Sequence, residues 1–231
     1  MADSPLVTCA IPVFNGARFL KQAVESVTRQ TYSNIEIIVV NDGSTDETPK
    51  IIESLGPVVR SFRQENKGPA AARNVAIREA RGEFVAFLDA DDLWVPDKIE
   101  KQIACFERDP DLAICTAQAE HFWEGEVADE EQQLRDSLNA PHDAGWFFSS
   151  VIRRDLFDRI GVFDESLWHL DAAEIAMRIR AEGAKLQVIP DALMRRRLHA
   201  DNLSRNRTTE ADERLYIIKA RLQRARQAPP T

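Results

Sequence analysis

Short apolar runs alternate with segments of helical periodicity through the first half of the chain, and this alternation restricts the fold more than any other feature. The runs cover residues 6–14, 35–40, 58–62, 84–88 and 112–116. Between them, apolar residues recur at the spacing of one helix face, as Leu20, Val24 and Val27 do. Strands that alternate with helices indicate a parallel sheet with helices on both faces. The sequence therefore predicts an α/β fold.

Polar residues follow these runs at the point where each run ends. They are Asn15, Asp42, Asn66, Lys67 and the carboxylates Asp89, Asp91 and Asp92. The carboxyl ends of parallel strands lie along one edge of a sheet, and ligands bind outside that edge. An unpartnered buried carboxylate is costly, so we expect the acidic cluster to face water or a cation. A D-x-D pattern at a strand end suits a divalent cation that shares its oxygen ligands with phosphate. The alternative is a solvated acidic turn that caps the next helix.

Charge and cysteine content limit the classes of partner and compartment. Lys plus Arg number 30 and Asp plus Glu 38, a net charge of −8, whereas binding of nucleic acid needs a basic face. Cys9, Cys105 and Cys115 lie in apolar runs without metal-ligand spacing, as reduced buried thiols do. The first residues lack signal-peptide features, and no run approaches about 18 apolar residues. We expect a cytoplasmic protein that does not bind nucleic acid.

The pattern changes near residue 118, where we divide a single domain into two lobes. Residues 1–117 are expected to form the ligand-binding half, 118–207 a smaller lobe, and 208–231 a C-terminal helix and tail. The acidic stretch 120–143 is interpreted as a mobile loop or lid with a partial helix at 130–138. Further expected elements are strands at 146–152 and 186–189 and helices at 154–160, 171–183 and 210–226.

Four motifs stand in one order along the first half of the chain. They are IPVFN at 11–15, VNDGSTD at 40–46, NKGPAAARN at 66–74 and FLDADD at 87–92. Together they resemble the family 2 glycosyltransferases of the GT-A fold, strongly over residues 5–116 and more loosely to about residue 204. The resemblance implies a mostly parallel central sheet with helices on both faces and a smaller acceptor-side lobe. It also implies an inverting transferase that moves a sugar from a nucleoside-diphosphate sugar to an acceptor hydroxyl, with Mn²⁺ or Mg²⁺ as cofactor.

The resemblance assigns roles to residues at the strand ends. The nucleotide-binding residues it implies are Pro12, Val13, Phe14, Asn15, Asp42, Lys67, Arg73, Asp89 and Ala90. Asp42 is expected at the uracil, Asp89 near the ribose and Asp91 on the metal. The competing interpretations are structural: Asp42 serves only its own turn, Arg73 is a surface helix residue, and Asn15 caps the first helix.

The acidic pair that precedes the late helix in this family is altered here. The matching stretch is HLDAAE at 169–174, and the family's base position falls on Ala172. Asp171 stands before or at the helix start, so we expect it to be the catalytic base, with Glu174 as the alternative. Glu174 also stands four residues before Arg178, the spacing of an ordinary helix ion pair. A non-catalytic or weakly active nucleotide-sugar-binding protein is therefore the runner-up.

The stretch RLHADNLS at 197–204 supplies a second metal-ligand candidate. It resembles a stretch in which a late His completes the family's metal site, and imidazole is an acceptable Mn²⁺ ligand, so His199 is expected beside Asp91. The alternative is a structural His. Arg195, Arg196 and Arg197 are interpreted either as a diphosphate clamp or as a solvated basic strand.

Aromatic residues of the second lobe are candidates for the acceptor side, because aromatic faces often stack on sugar rings. They are Trp123 and Trp168, with His169 beside them. The donor is expected to be a UDP-hexose or UDP-N-acetylhexosamine, and the acceptor a carbohydrate, a lipid-linked glycan or a small molecule. The final helix is expected to pack on the domain, with a peripheral membrane or partner surface as the alternative. The oligomeric state is left open.

Other nucleotide-binding classes are disfavoured by missing motifs. No G-x-G-x-x-G follows the first strand, and no P-loop or G-x-S-x-G pattern occurs. A sugar-phosphate nucleotidyltransferase would need a Gly- and Arg-rich loop after that strand, and the chain offers only Gly16 there.

Overall fold

The computed structural model describes residues 4–123 and 145–199. The predicted partial helix at 130–138, the final helix at 210–226 and the C-terminal segment 208–231 lie outside these residues. Among the described helices, none has both the length and the hydropathy that a membrane span requires.

Strands and helices alternate as predicted in the first half of the chain. The strands are β1 Val7–Val13, β2 Ile35–Asp42, β3 Arg60–Gln64, β4 Phe84–Phe87, β5 Leu93–Trp94, β6 Ile114–Trp123, β7 Val151–Arg153 and β8 Leu186–Leu198. The helices are α1 Leu20–Thr28, α2 Thr48–Ser54, α3 Pro69–Glu79, α4 Lys98–Arg108, α5 Gly145–Phe148, α6 Leu156–Ile160 and α7 Asp171–Glu182. Helix α3 begins with Pro69, which suits a first helical position, and α7 is followed by Gly183 in the left-handed conformation.

The strands form one mixed sheet in the order β3-β2-β1-β4-β7-β6-β8-β5. Strands β3, β2, β1 and β4 are parallel neighbours, so their carboxyl ends share one edge. Strand β7 is antiparallel to both β4 and β6, whereas β6 and β8 run parallel. The mostly parallel sheet predicted from the sequence is confirmed.

Side-chain alternation along the strands divides the core between the two faces of the sheet. On one face, β1 residues such as Cys9 and Ile11 pack with the apolar sides of α1 and α4. On the other face, Ala10 of β1 packs with α3 and α7. Because both faces are covered, the central strands are apolar on both sides, which is why they appear in the sequence as continuous apolar runs. The prediction of helices on both faces is confirmed.

Several predicted boundaries are wrong. Residues 146–152, predicted as a strand, contain the short helix α5 before β7 begins at Val151. The strand predicted at 58–62 lies at Arg60–Gln64, and those predicted at 112–116 and 186–189 extend to Trp123 and Leu198. Pairing of β6 with β8 sustains this greater length. The proposed lobe boundary falls inside β6, at a register irregularity beside Gln118, and it stays an interpretation.

Ser44–Glu47 has the sequence spacing of a capping box, which predicts that Ser44 caps a helix, but this cap does not form. Helix α2 begins at Thr48, and the Thr48 N–H donates to the Asp46 carboxylate at 2.9 Å. The Ser44 hydroxyl instead accepts a hydrogen bond from the loop that follows β1. Ser44 therefore joins two loops, and Asp46 serves the start of α2 in its place.

A buried polar network joins α4 to the far half of the sheet. Lys98 is fully buried, and its ammonium group donates to the Gln102 side chain and to the Ser149 carbonyl oxygen, the latter at 3.1 Å. Gln102 in turn donates to the carbonyl oxygens of Cys115 (2.7 Å) and Ser149 (2.9 Å). Burial lowers the pKa of Lys98 from 10.5 to about 7, because the low-dielectric interior disfavours its charged form.

Lys98 should make the stability of the fold pH-dependent. Between pH 7 and 10.5 the unfolded chain keeps the Lys98 proton and the folded protein loses it. The unfolded state then binds more protons, so this residue makes the free energy of unfolding rise with pH, by up to about 1.4 kcal/mol per pH unit. Urea unfolding across this window should show the rise in the wild type and lose this contribution in Lys98→Met. Lys101→Met on the same helix, where the side chain is 40% exposed, is the control. Parallel curves for the wild type and Lys98→Met would contradict the assignment.

Candidate functional site

The loops that follow β1 and β2 are fastened to each other at the carboxyl edge of the sheet. Asn15 adopts a φ of +49°, and its N–H donates to the Ser44 hydroxyl at 2.9 Å. Its side-chain oxygen accepts from the Thr45 N–H at 2.8 Å. Helix α1 begins only at Leu20. The alternative that Asn15 caps this helix is therefore wrong, because the side chain joins two loops instead.

Asp42, at the end of β2, orders the next loop along the sheet edge. It is buried, and its two carboxylate oxygens accept from the N–H groups of Lys67 and Gly68, each at 2.9 Å. One of these oxygens also accepts from Gln64 Nε2 at 2.7 Å. The turn after β2 is served by Asn41, whose side-chain oxygen accepts from the Ser44 N–H. The interpretation that Asp42 serves its own turn is wrong, and its contact with uracil stays a prediction.

The three carboxylates after β4 each meet a group from another element. Asp89 accepts from Arg73 Nη2 (2.9 Å), Asp91 Oδ2 lies 3.0 Å from His199 Nε2, and Asp92 accepts from the Arg197 N–H (2.8 Å). Asp92 is buried, and burial together with the charges of Asp91 and Asp89 raises its pKa well above the usual range. The side chains of Asp89 and Asp91 are 34% and 28% exposed, so these two remain accessible to a ligand.

Arg73 bridges Asp89 and the predicted base Asp171. Its guanidinium donates to both carboxylates, and it is 4% exposed, so the interpretation as a surface helix residue is wrong. The ring centroids of Phe148 and Phe163 lie 4.6 and 5.7 Å from its guanidinium carbon. Sequence reasoning missed these rings, because nothing in their local sequence distinguishes them from other core residues.

Asp171 and Arg73 change each other's ionisation. Burial raises the pKa of Asp171, and the positive charge of Arg73 opposes that rise. Burial alone would lower the pKa of Arg73, yet the charges of Asp171 and Asp89 outweigh it and raise the pKa. Arg73 therefore stays a cation, and it favours the carboxylate form of a residue that the interior would otherwise protonate.

Glu174 forms the helix ion pair that its spacing predicts. Its carboxylate lies 2.7 Å from Arg178 Nη2, and it is buried. Arg178 also donates to the carbonyl oxygens of Ile160 (2.6 Å) and Val162 (2.8 Å). Glu174 therefore takes part in fastening α7 to the segment after α6. Its alternative role as base remains a prediction.

Asp91 and His199 form a pair of metal-ligand types. A carboxylate oxygen and an imidazole nitrogen 3.0 Å apart match the donors that Mn²⁺ accepts, and His199 is 9% exposed. In the two described ranges, no group of three or more His, Cys, Asp and Glu side chains is arranged to hold a metal ion. The pair therefore fits a cation that takes its remaining ligands from water and a diphosphate.

The other predicted nucleotide-side residues differ in exposure. Phe14 is 49% exposed and Lys67 is also exposed at this edge, whereas Pro12 and Val13 are buried in β1. Ala90 is half-buried beside Gly16. Their contacts with a nucleotide stay predictions.

Among the acceptor-side candidates, Trp168 lies against the start of α3. A Cβ atom added to Gly68, which has a φ of +89°, would lie 3.1 Å from the Trp168 ring. This ring is 42% exposed, and His169 next to it is half-buried. Trp123 ends β6, where it pairs with Leu198 of β8. Acceptor contact by these three residues stays a prediction.

Arg197 does not form the diphosphate clamp considered from the sequence. It is 3% exposed, and its guanidinium donates to the Asp91 carbonyl oxygen and to the Gln22 side chain, each at 2.8 Å. One feature of the sequence could have indicated that Arg197 faces the same side as His199. The two residues are two positions apart, and residues two apart on a strand share one face.

The family model described as Glycosyl transferase family 2 matches residues 8–166. The chain belongs to this family. An uncharacterized glycosyltransferase of Rickettsia prowazekii is 31% identical over 222 residues, which are 91% of this chain and 69% of that protein. One of Rickettsia typhi is 39% identical over 175 residues, 71% of this chain and 55% of that protein. The chain thus spans only part of the length of these relatives.

Solved structures show the same fold. S. aureus TarS 1–349 in complex with UDP-GlcNAc superposes with a TM-score of 0.73 at 20% identity, covering 87% of this chain and 61% of that one. The mannosyltransferase PcManGT from Pyrobaculum calidifontis, in complex with GDP-Man and Mn²⁺, has a TM-score of 0.72 at 23% identity. The match covers 96% of this chain and 65% of that one. The predicted GT-A fold is confirmed.

The Arg73–Asp171 pair should contribute strongly to stability. Arg73→Met leaves Asp171 buried without its cation, and we expect a loss of about 3–5 kcal/mol in the free energy of unfolding. The double variant Arg73→Met/Asp171→Leu should lose much less, because no uncompensated buried charge remains. Arg29→Met, which removes an exposed ion pair with Glu25, is the control and should cost less than about 1 kcal/mol. Equal losses for Arg73→Met and Arg29→Met would contradict the assignment.

Proposed function

We propose that this chain binds a nucleoside-diphosphate sugar and transfers its sugar, with inversion, to an acceptor hydroxyl, using a divalent cation. The observation that carries the proposal is that Arg73 joins Asp171 to Asp89 at the carboxyl edge of the sheet, while Asp91, two residues after Asp89, meets His199. Membership of glycosyltransferase family 2 supports it.

Asp91 and His199 are the residues that would hold the cation. His199 Nε2 and Asp91 Oδ2 lie 3.0 Å apart, and both are donor types that a divalent cation would accept. When bound, Mn²⁺ or Mg²⁺ would offset the negative charge of the departing diphosphate. Asp89, with its partly exposed carboxylate, is assigned to the ribose side of the donor.

Asp171 is assigned as the base that accepts the proton of the acceptor hydroxyl as this attacks the anomeric carbon. Burial raises its pKa, which makes the carboxylate a stronger proton acceptor than an exposed Asp. Arg73 holds the carboxylate in its charged form and fixes its orientation relative to Asp89. Trp168 and His169, which precede α7, are assigned to the acceptor side.

A UDP-hexose or UDP-N-acetylhexosamine is the proposed donor. The fold shared with a protein solved with UDP-GlcNAc supports this choice, and the structure solved with GDP-Man makes GDP-mannose the competing donor to test. The acceptor is proposed to be a carbohydrate, lipid-linked or small-molecule hydroxyl, and the location to be cytoplasmic.

The cation site predicts a metal-dependent nucleotide affinity. Calorimetric titration of UDP should give a much higher affinity with Mn²⁺ than without it. Asp91→Asn should lower the affinity measured in Mn²⁺ at least about tenfold, because a ligand to the cation is lost. Asp97→Asn, which removes an ion pair with Lys101 on α4, should leave it unchanged. UDP affinity that is independent of Mn²⁺ in the wild type would refute the cation site.

The base assignment predicts a selective loss of turnover. Asp171→Asn should lower nucleotide-sugar turnover, followed as UDP release, by about 10²–10⁴-fold, since proton abstraction is lost. UDP affinity should stay near the wild-type value. Glu174→Gln is the comparison, and a selective turnover loss there instead would transfer the role of base to Glu174. A wild-type protein that binds UDP tightly but turns over no nucleotide sugar would support the runner-up, a non-catalytic binding protein.

A further inference from the structure

Arg197 connects strand β8 to the acidic turn after β4 through both its main chain and its side chain. Its N–H donates to the Asp92 carboxylate and its Nε–H to the Asp91 carbonyl oxygen, each at 2.8 Å. Its Nη2 donates to the Gln22 side chain of α1, also at 2.8 Å. One buried residue of β8 is therefore hydrogen-bonded to two adjacent residues of the turn and to a helix on one face of the sheet.

Two aromatic rings hold the Arg197 guanidinium in place. The rings of Phe19 and Phe122 have their centroids 4.4 and 4.7 Å from the guanidinium carbon. A planar guanidinium stacks on aromatic rings and directs several N–H groups at fixed angles, which the single ammonium of a Lys cannot do. The geometry therefore requires Arg at this position.

His199 shares this environment. It stands two residues after Arg197, on the same side of the extended chain, and its ring centroid lies 5.0 Å from that of Phe19. From there its Nε2 reaches Asp91 Oδ2 at 3.0 Å. Phe19 thus contacts both Arg197 and His199. Arg197 donates a hydrogen bond to the main chain of Asp91, and the side chain of Asp91 meets His199.

We propose that Arg197 is a positioning residue for the cation site: it holds the end of β8 against the acidic turn so that Asp91 and His199 converge. This inference rests on the proposed function, because it gives the Asp91–His199 pair the role of binding the cation. Arg197 itself touches neither metal nor donor, and it acts by fixing the Asp91 main chain and the strand that carries His199.

Arg195 supplies a matched control on the same strand. Its guanidinium carbon also lies 4.7 Å from the Phe122 ring centroid. Its side chain is 45% exposed, and its ion pair, at 3.5 Å, is with Glu120 of β6. The same substitution at the two positions therefore perturbs the same ring, but only Arg197→Lys disturbs the turn.

The test is a titration of the full chain with Mn²⁺, alone and with UDP, followed by electron paramagnetic resonance of the free ion. Arg197→Lys should raise the Mn²⁺ dissociation constant by about 10- to 100-fold, the usual effect of removing a group that orients a metal ligand. Arg195→Lys should stay within about twofold of the wild type, as expected for an exposed charge. Circular dichroism on each variant reports the folded fraction.

Two further variants separate positioning from a merely structural role. In the His199→Ala background, Arg197→Lys should weaken Mn²⁺ binding by less than it does in the wild type, because part of its effect acts through His199. Gln22→Ala, at an exposed residue of α1, should weaken binding about threefold to tenfold by freeing the guanidinium. The neighbouring exposed Lys21→Ala should have no effect. If Arg197→Lys does not fold, the comparison of Mn²⁺ binding by Gln22→Ala and by Lys21→Ala tests the positioning role.

The outcomes distinguish this inference from the proposed function. If the wild type binds Mn²⁺, Asp91→Asn abolishes binding and Arg197→Lys behaves like Arg195→Lys, the positioning role is wrong and the cation site stands. Fully additive effects of Arg197→Lys and His199→Ala would also overturn the positioning role. If the wild type binds no Mn²⁺, alone or with UDP, the cation site and the positioning role both fail.

Discussion

Three carboxylates at the end of one buried strand repel one another, and the site depends on how that repulsion is balanced. Asp89 is met by Arg73 of α3, Asp91 by His199, and Asp92 by the main-chain N–H of Arg197. Arg73 comes from the helix that precedes β4, whereas His199 and Arg197 stand 108 and 105 residues after the carboxylates they meet. The acidic turn therefore takes its geometry from the assembled tertiary structure, because a local turn alone offers no such partners.

Arg73 links the donor-side half of the site to the acceptor-side half. It lies on α3, in the part of the chain assigned to the donor, and it contacts both Asp89 and Asp171. Asp171 begins α7, in the part assigned to the acceptor. The buried guanidinium of Arg73 thus fixes the distance between Asp89 on the nucleotide side and the predicted base Asp171. Its Nε has no hydrogen-bond partner among the described residues, so the two carboxylates and the ring of Phe148 account for its placement.

The sequence predicted the sheet and the edge that carries the site, because strands buried on both faces appear as continuous apolar runs. It did not predict details that depend on contacts between distant segments. Ser44 has the spacing of a cap but binds Asn15, and Asp42 orders residues 67 and 68 rather than its own turn. The burial of Arg197 could not be predicted from its place among three consecutive arginines, and only its spacing of two residues from His199 indicates that the two share one face. The candidate base Asp171 was recognised by its place before a helix, although its pairing with Arg73 was not.

The proposed function requires Asp91 and His199 to hold a divalent cation at the carboxyl edge of the sheet. The most direct measurement is anomalous diffraction at the manganese edge from crystals grown with Mn²⁺ and UDP. One strong peak is expected between Asp91 Oδ2 and His199 Nε2, at coordination distance from both atoms and adjacent to the diphosphate. A peak elsewhere, or none while Asp91 and His199 keep their direct hydrogen bond beside bound UDP, would contradict it.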